Sequence, residues 1–283
     1  MRSLACSSSP WLRPPMPRIH RGLPVRDTSP SMEEQKGGLL VVMAHPDDES
    51  MGTGGIVLRH TRNGIATHLI CATYGEAGWM GKPPGAKKED LAEIRAKELE
   101  EAAAALAISG VELWDYPDGG VPQSDQQQIT QRIWEQISRL RPRAVVGWGP
   151  DGGYGHPDHI AMGACTDAAV AAMTEGDRPA LYHIAFDQSV VEFYGEAMHL
   201  TGNNHSLPLQ AQDQVDVVIE LDADEVMMKL RAIDCHRSQL EDWRIAIRDH
   251  PQLMQRGYGH EPYITVSSRT PGLTDGGLLG EFV

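Results

Sequence analysis

The sequence predicts an α/β domain of Rossmann-like type, a single, mostly parallel sheet with helices on both faces. Three observations carry that expectation. Leu39 to Met43 and Ala144 to Trp148 are short, continuous apolar runs, the pattern of strands buried on both sides in a parallel sheet. Strand and helix signals then alternate along most of the chain, which is the order of a βαβ architecture. Finally, each of the two runs opens directly into a turn loaded with His and Asp, at the carboxyl end of a strand, where open α/β sheets bind their ligands.

Residues 1 to 36 are rich in Pro, Ser and Arg, show no periodicity, and are expected to be a disordered tail. No apolar stretch follows Met1-Arg2 to suggest a secretory signal, and Met32 is an alternative starting residue. The domain is expected over 37 to 283. After the first apolar strand, a helix runs to Arg62, Ala66 to Thr73 reads as the second strand, and Trp79 to Lys88 as a loop overhanging the strand ends. Glu89 to Leu106 is an amphipathic helix with Leu91, Ile94, Leu99, Ala102 and Leu106 near one face. Val111 to Tyr116 is the third strand and Ile129 to Leu140 a helix stopped by Pro142. Ile160 to Met173 continues as a helix from the second His/Asp turn, and Ala180 to Phe186 is another strand. Phe186 to Leu207 shows weak periodicity and reads as a variable insertion lining a pocket. Val215 to Leu221 is a late strand and Asp224 to Cys235 the following helix.

Composition removes several function classes. With 25 basic and 39 acidic residues the net charge is −14, so a phosphate backbone is a poor partner and no nucleic acid is expected. Nor is a membrane, since no stretch approaches the roughly 18 apolar residues of a span. Cys6, Cys71, Cys165 and Cys235 are far apart, without a Cys-x-x-Cys, which suggests neither a disulfide framework nor a thiolate metal site and fits a reducing, cytoplasmic compartment. The sequence leaves a homo-oligomer open.

The chemistry is concentrated in the two turns. Ala44-His45-Pro46-Asp47-Asp48-Glu49 follows the first strand, and Pro46 holds His45 out of the helix while Asp48 can turn back toward it. Tyr154-Gly155-His156-Pro157-Asp158-His159 follows the Ala144 to Trp148 strand. The two elements together resemble the signature motifs of the PIG-L/LmbE family of zinc-dependent N-acetylglucosaminyl deacetylases, and the resemblance extends over roughly Gly38 to Glu261. It implies a zinc ion held by His45, Asp48 and His159, with Asp47 as general base. It further implies His156 as oxyanion donor or acid, oriented by Asp158, and Tyr154 as a second candidate donor. Arg95, Asp118 in Tyr116-Pro117-Asp118-Gly119, and His236 in His236-Arg237-Ser238-Gln239 match family positions near the substrate. Alternatives for these three are an ion pair within the helix, ordinary turn chemistry, and a structural histidine.

Two imidazoles and a carboxylate, with one position left open, make a catalytic zinc set. The same nitrogen and oxygen donors suit Fe2+, cobalt or manganese. A metal of this kind lowers the pKa of water from 15.7 to about 7, and a nearby carboxylate accepts its proton. The expected activity is removal of the N-acetyl group from an N-acetylglucosamine-type conjugate, a small-molecule partner whose aglycone the sequence does not specify. Competing expectations are a metalloamidase for another N-acyl substrate and a non-catalytic metal-binding module. Against the module, Gly52-Thr53-Gly54-Gly55 is not a dinucleotide fingerprint.

Overall fold

The structure, a computed structural model, describes residues 37–80, 87–200, 208–239 and 249–268. The predicted tail and most of the overhanging loop lie outside the described residues. Seven strands form one sheet: β1 (Leu39–Met43), β2 (Thr67–Thr73), β3 (Gly110–Tyr116), β4 (Ala144–Trp148), β5 (Ala180–Ile184), β6 (Val217–Glu220) and β7 (His260–Ser267). Their order is β3-β2-β1-β4-β5-β7-β6. The first five strands pair in parallel, whereas β7 is antiparallel to both β5 and β6. The expected α/β fold, with a mostly parallel sheet, is therefore present. Its strand order reverses between β1 and β4, the two strands that carry the His/Asp turns, and their carboxyl ends form the crevice where such sheets bind ligands.

Side chains alternate across β1 as the two-residue period requires. Leu39, Val41 and Met43 pack with Ile56, Val57 and Leu58 of helix α1 (Asp48–Arg62) and with Leu99 of α2 (Leu91–Ala105). Leu40 and Val42 pack on the other face with Ile129, Ile133 and Ile137 of α3 (Gln126–Leu140). All three isoleucines are fully buried, a contribution of about 1.5–3 kcal/mol each. After β4 comes a kinked turn, α4 (Gly152–Gly155), and then α5 (Pro157–Ala171), which joins α3 on the second face. Asp125 caps α3 by accepting from the amides of Gln127 and Gln128, and Pro157 occupies the first turn of α5, where no amide donor is needed.

The region after Phe186 differs from expectation. Expected as a variable insertion of weak periodicity, it begins with helix α6 (Gln188–Leu200). Val190 packs into the sheet core while Phe193 and Ala197 pack into a third cluster with α7 (Ala223–Ile233) and α8 (Pro251–Gly257). Val190, Phe193 and Ala197 stand at i, i+3 and i+7 on one face of the helix, and with Val191, Tyr194 and Met198 beside them that face serves both cores. Helix α1 also starts earlier than expected, inside the first motif. No helix among the described residues is long and apolar enough to cross a membrane.

Candidate active site

The bend between β1 and α1 is built around Asp47, whose φ of 103° is a conformation rare outside glycine. Holding it costs of order 1–3 kcal/mol, so the surroundings must enforce it. Its carbonyl accepts from the amides of Ser50 (3.1 Å) and Met51 (3.0 Å). Its own amide donates to Glu49 Oε2 at 3.0 Å. Arg95, reaching in from α2, donates through Nη2 to the Pro46 carbonyl and to Asp47 Oδ2 (3.1 Å), and through Nη1 to the Gly75 carbonyl (2.7 Å). Asp47 stands at the N-cap position of α1, but its carboxylate caps no amide. Burial, together with the charge of Asp48 and against the attraction of Arg95, pushes its pKa up to about 6, in the range useful to a base at neutral pH.

His45, Asp48 and His159 converge in front of this bend. His45 Nδ1 lies 3.1 Å from His159 Nε2, close to the edge of about 3.3 Å expected between ligands at 2.0–2.1 Å from a tetrahedral metal. Asp48 faces both rings, with Oδ2 3.7 Å from His45 Nδ1 and Oδ1 3.5 Å from His159 Nε2. Two different oxygens make these approaches, so a single ligating oxygen requires the carboxylate to rotate. Oδ2 is held by the amides of Ala44 (3.1 Å) and His45 (2.9 Å) and by Trp148 Nε1 (3.4 Å). His156 is also close: its ring and those of His45 and His159 offer nitrogens within 4.8 Å of one another. Two ligand sets sharing His45 and His159, one completed by the Asp48 carboxylate and one by the His156 ring, thus compete for one position, while His45 with Asp118 and Asp158 forms a separate cluster.

The groups behind the two rings match the requirements of a metal-bound histidine, whose outer nitrogen is normally fixed by a carboxylate or carbonyl. His45 Nε2 lies 3.1 Å from both Asp118 Oδ1 and Asp158 Oδ2, and His159 Nδ1 lies 3.1 Å from the Gly152 carbonyl. The inner nitrogens then face the shared point. Burial lowers the His45 pKa, but the hydrogen bonds from Asp118 and Asp158 outweigh it and raise it to about 10. The two carboxylates favour positive charge at His45, and a metal bound there has to displace its proton. His159 is driven the other way, by burial and by the charge of His45, and stays neutral with a lone pair available.

The residues expected at the substrate are distributed differently. Arg95 is buried and committed to the Asp47 bend. Asp118 accepts from the Ala77 amide (2.8 Å) and faces His45 with its other oxygen. Despite burial, these partners hold its pKa down, to about 2. His236 is fully buried and paired through Nε2 with Glu49 Oε1 at 2.8 Å, the structural alternative. Asp158 holds His156 through its backbone amide, which donates to His156 Nδ1 at 3.2 Å. Its carboxylate, expected on His156, is instead turned to His45 and to the amides of Gly119 (2.7 Å) and Val121 (3.2 Å). Tyr154 stands beside His159 with ring centroids 5.3 Å apart. Gly153, at φ 74°, makes the bend that turns it there. Burial raises the phenol pKa, so it remains a donor. Three further residues complete the surroundings. Trp148 stacks on His159 at 4.0 Å, and Lys229 and Glu261 pair behind the bend at 2.5 Å. In the sequence Lys229 lies on the helix leading to the His236 segment and Glu261 closes the span of the family resemblance, whereas Trp148 had no signal beyond being the last residue of a strand leading to a motif.

Residues 40–170 match the family described as PIG-L, GlcNAc-PI de-N-acetylase. A probable N-acetyl-alpha-D-glucosaminyl L-malate deacetylase 2 of Bacillus anthracis is 32% identical over 203 residues, covering 71% of this chain and 80% of that one. The chain belongs to the PIG-L family. A second PIG-L relative, a 1D-myo-inositol 2-acetamido-2-deoxy-alpha-D-glucopyranoside deacetylase of Actinosynnema mirum, is 32% identical over 235 residues, covering 73% of this chain and 82% of that one. Among solved structures, N,N'-diacetylchitobiose deacetylase from Pyrococcus horikoshii superposes with a TM-score of 0.60 at 20% identity, covering 87% of this chain and 91% of that one. A 4-carboxy-2-hydroxymuconate hydratase from Pseudomonas putida superposes at 0.57 with 22% identity, covering 83% and 98%. At such identities the likeness concerns the fold, and one fold carries both hydrolysis and hydration.

Proposed function

We propose that this PIG-L protein is a metal-dependent amide hydrolase that removes the acetyl group from an N-acetylglucosamine conjugate. The observation that carries the reading is the Asp47 carboxylate, held at a strained bend beside converging His45, Asp48 and His159, with no capping role of its own. Support for the substrate class comes from the two relatives above, both named for deacetylation of N-acetylglucosamine conjugates. His45, Asp48 and His159 would hold the metal, zinc or another divalent ion, which supplies Lewis acidity to the amide carbonyl and to the attacking water.

The remaining work falls to the chain. Asp47 accepts the water's proton as the new C–O bond forms. Charge growing on the former carbonyl oxygen is met by donors: Tyr154 through its phenol and His156 through Nε2, which carries the proton because Nδ1 accepts from the Asp158 amide. One such donor is typically worth about 3 kcal/mol. The C–N bond then breaks, and either His156 or Asp47 delivers a proton to the departing amine. Asp118 and Asp158 orient His45, and Arg95 keeps Asp47 in place.

The test is release of free amine from a panel of N-acetylglucosamine glycosides by the metal-loaded protein, with N-acetylated amino acids as the competing class. Asp47→Asn should retain metal and lose about 10²- to 10⁴-fold in kcat. Metal bound without amine release from any N-acetyl sugar would instead favour the binding module.

A further inference from the structure

A chamber of about 190 Å³ opens from the carboxylates of Asp47 and Asp48 into the second half of the chain. That is smaller than most sites for whole drug-sized ligands, yet more than an acetyl methyl requires. Among the described residues its apolar walls are Met51, Trp148, Ile184, Phe186, Val190 and Leu209, while Arg95, Asp118 and His45 take no part in it. The last four of those walls lie beyond residues 40–170, the span matched by the family.

Away from Asp47 and the Tyr154 phenol, which stand at its catalytic end, most polar groups on its walls already have partners. Lys229 Nζ lies 2.5 Å from Glu261 Oε1, and Glu261 Oε2 accepts from the Ile56 amide and the Tyr263 hydroxyl, each at 2.8 Å. Tyr194 is hydrogen-bonded to Tyr258. His260 Nε2 faces Ser189 Oγ at 2.9 Å and Asp187 Oδ2 at 3.2 Å. Sugar hydroxyls moved from water into this chamber would find few free donors or acceptors, a loss for each unpaired group. A hydrocarbon chain or ring would gain by the same move.

We propose that the chamber receives an apolar substituent of the substrate next to the scissile amide. This rests on the reading of Asp47 as the base that marks the amide's position. Two sources share the required chemistry: an N-acyl chain longer than acetyl, or an apolar aglycone.

Binding separates this from catalysis. Metal-loaded Asp47→Asn protein is titrated calorimetrically with two series, N-acetyl-, N-butyryl- and N-hexanoylglucosamine, and the methyl, butyl and hexyl glycosides of N-acetylglucosamine. Affinity should rise about fourfold per added methylene in one series. A gradient in the first series assigns the chamber to the acyl chain, and one in the second assigns it to the aglycone. Val190→Phe in the same background should abolish most of that gradient by filling the chamber. If that variant does not fold, as judged by circular dichroism, Leu209→Phe at the partly buried wall tests the same point. Flat affinities in both series, or a gradient that persists in the filled variants, overturn the proposal. Failure of the deacetylase reading shows separately, as no amine release by the wild-type protein from the acetyl compounds, because the binding gradient needs no turnover.

Discussion

Arg95 Nη2 lies 3.1 Å from Asp47 Oδ2, and the same guanidinium holds the carbonyls of Pro46 and Gly75. All of these contacts converge on the bend where Asp47 adopts φ 103°. Arg95 therefore acts on Asp47 before it can act on a substrate. Arg95→Met should lower kcat about ten- to a hundredfold, the usual effect of losing an outer-shell partner, with metal content retained. Arg95→Lys should lose nearly as much, because an ammonium cannot reproduce the planar fork. Steady-state kinetics and metal analysis check this: a raised KM at unchanged kcat would return Arg95 to the role of a sugar ligand.

The two competing ligand sets differ in one residue. If Asp48 is the third ligand, Asp48→Ala should lose metal and activity together, while His156→Ala keeps metal and loses turnover. Elemental analysis of the purified variants decides it. A metal-free His156→Ala protein with metal still present in Asp48→Ala would exchange the two assignments.

Behind the bend, Glu261 accepts from the amides of Gly55 (2.6 Å) and Ile56 (2.8 Å) of α1 and from Lys229. Both side chains of the pair are 2% exposed. Glu261→Leu leaves the Lys229 charge buried without its partner and should cost about 3–5 kcal/mol in urea denaturation. Lys229→Met should cost less, about 1–3 kcal/mol, since the carboxylate keeps three donors. The reverse order would mean that the lysine has work beyond the pair.

His60 is fully buried in α1, with Nδ1 2.8 Å from the Ile56 carbonyl. Burial lowers its pKa from 6.5 to about 4. The fold thus favours the neutral ring, and the unfolded chain binds the proton first. Its contribution to stability is complete above about pH 6.5 and is lost as pH falls toward about 4, at up to about 1.4 kcal/mol per pH unit. Denaturation of wild-type and His60→Gln proteins across that window should show a shallower acid loss in the variant. Parallel curves would mean that His60 is already charged in the fold.

Much of the fold and the core of the site were legible in the sequence because their signals are local. A strand buried on both faces is a continuous apolar run, so Leu39 to Met43 and Ala144 to Trp148 stood out, and the ligand-type side chains sit within a few residues of the strand ends. Their convergence also followed, since neighbouring parallel strands deliver their carboxyl ends to one crevice. Helix α6 was missed although Val190, Phe193 and Ala197 hold the i, i+3, i+7 spacing, because Val191, Tyr194 and Met198 beside them widen the apolar band toward a second core.

What only the tertiary structure decided is which partner each polar group takes. Asp118 and Asp158 turn to His45, and Glu49 pairs with His236 across 187 positions. Lys229 meets Glu261 behind a helix that neither belongs to. A hydrogen bond between residues so far apart leaves no spacing in the chain, because side-chain type states what a group can donate or accept while the packing of α1, α2, α7 and β7 fixes who stands within 3 Å. The same packing turned three expected substrate ligands into supports of the bend and of His45, and enclosed an apolar chamber that no motif announces.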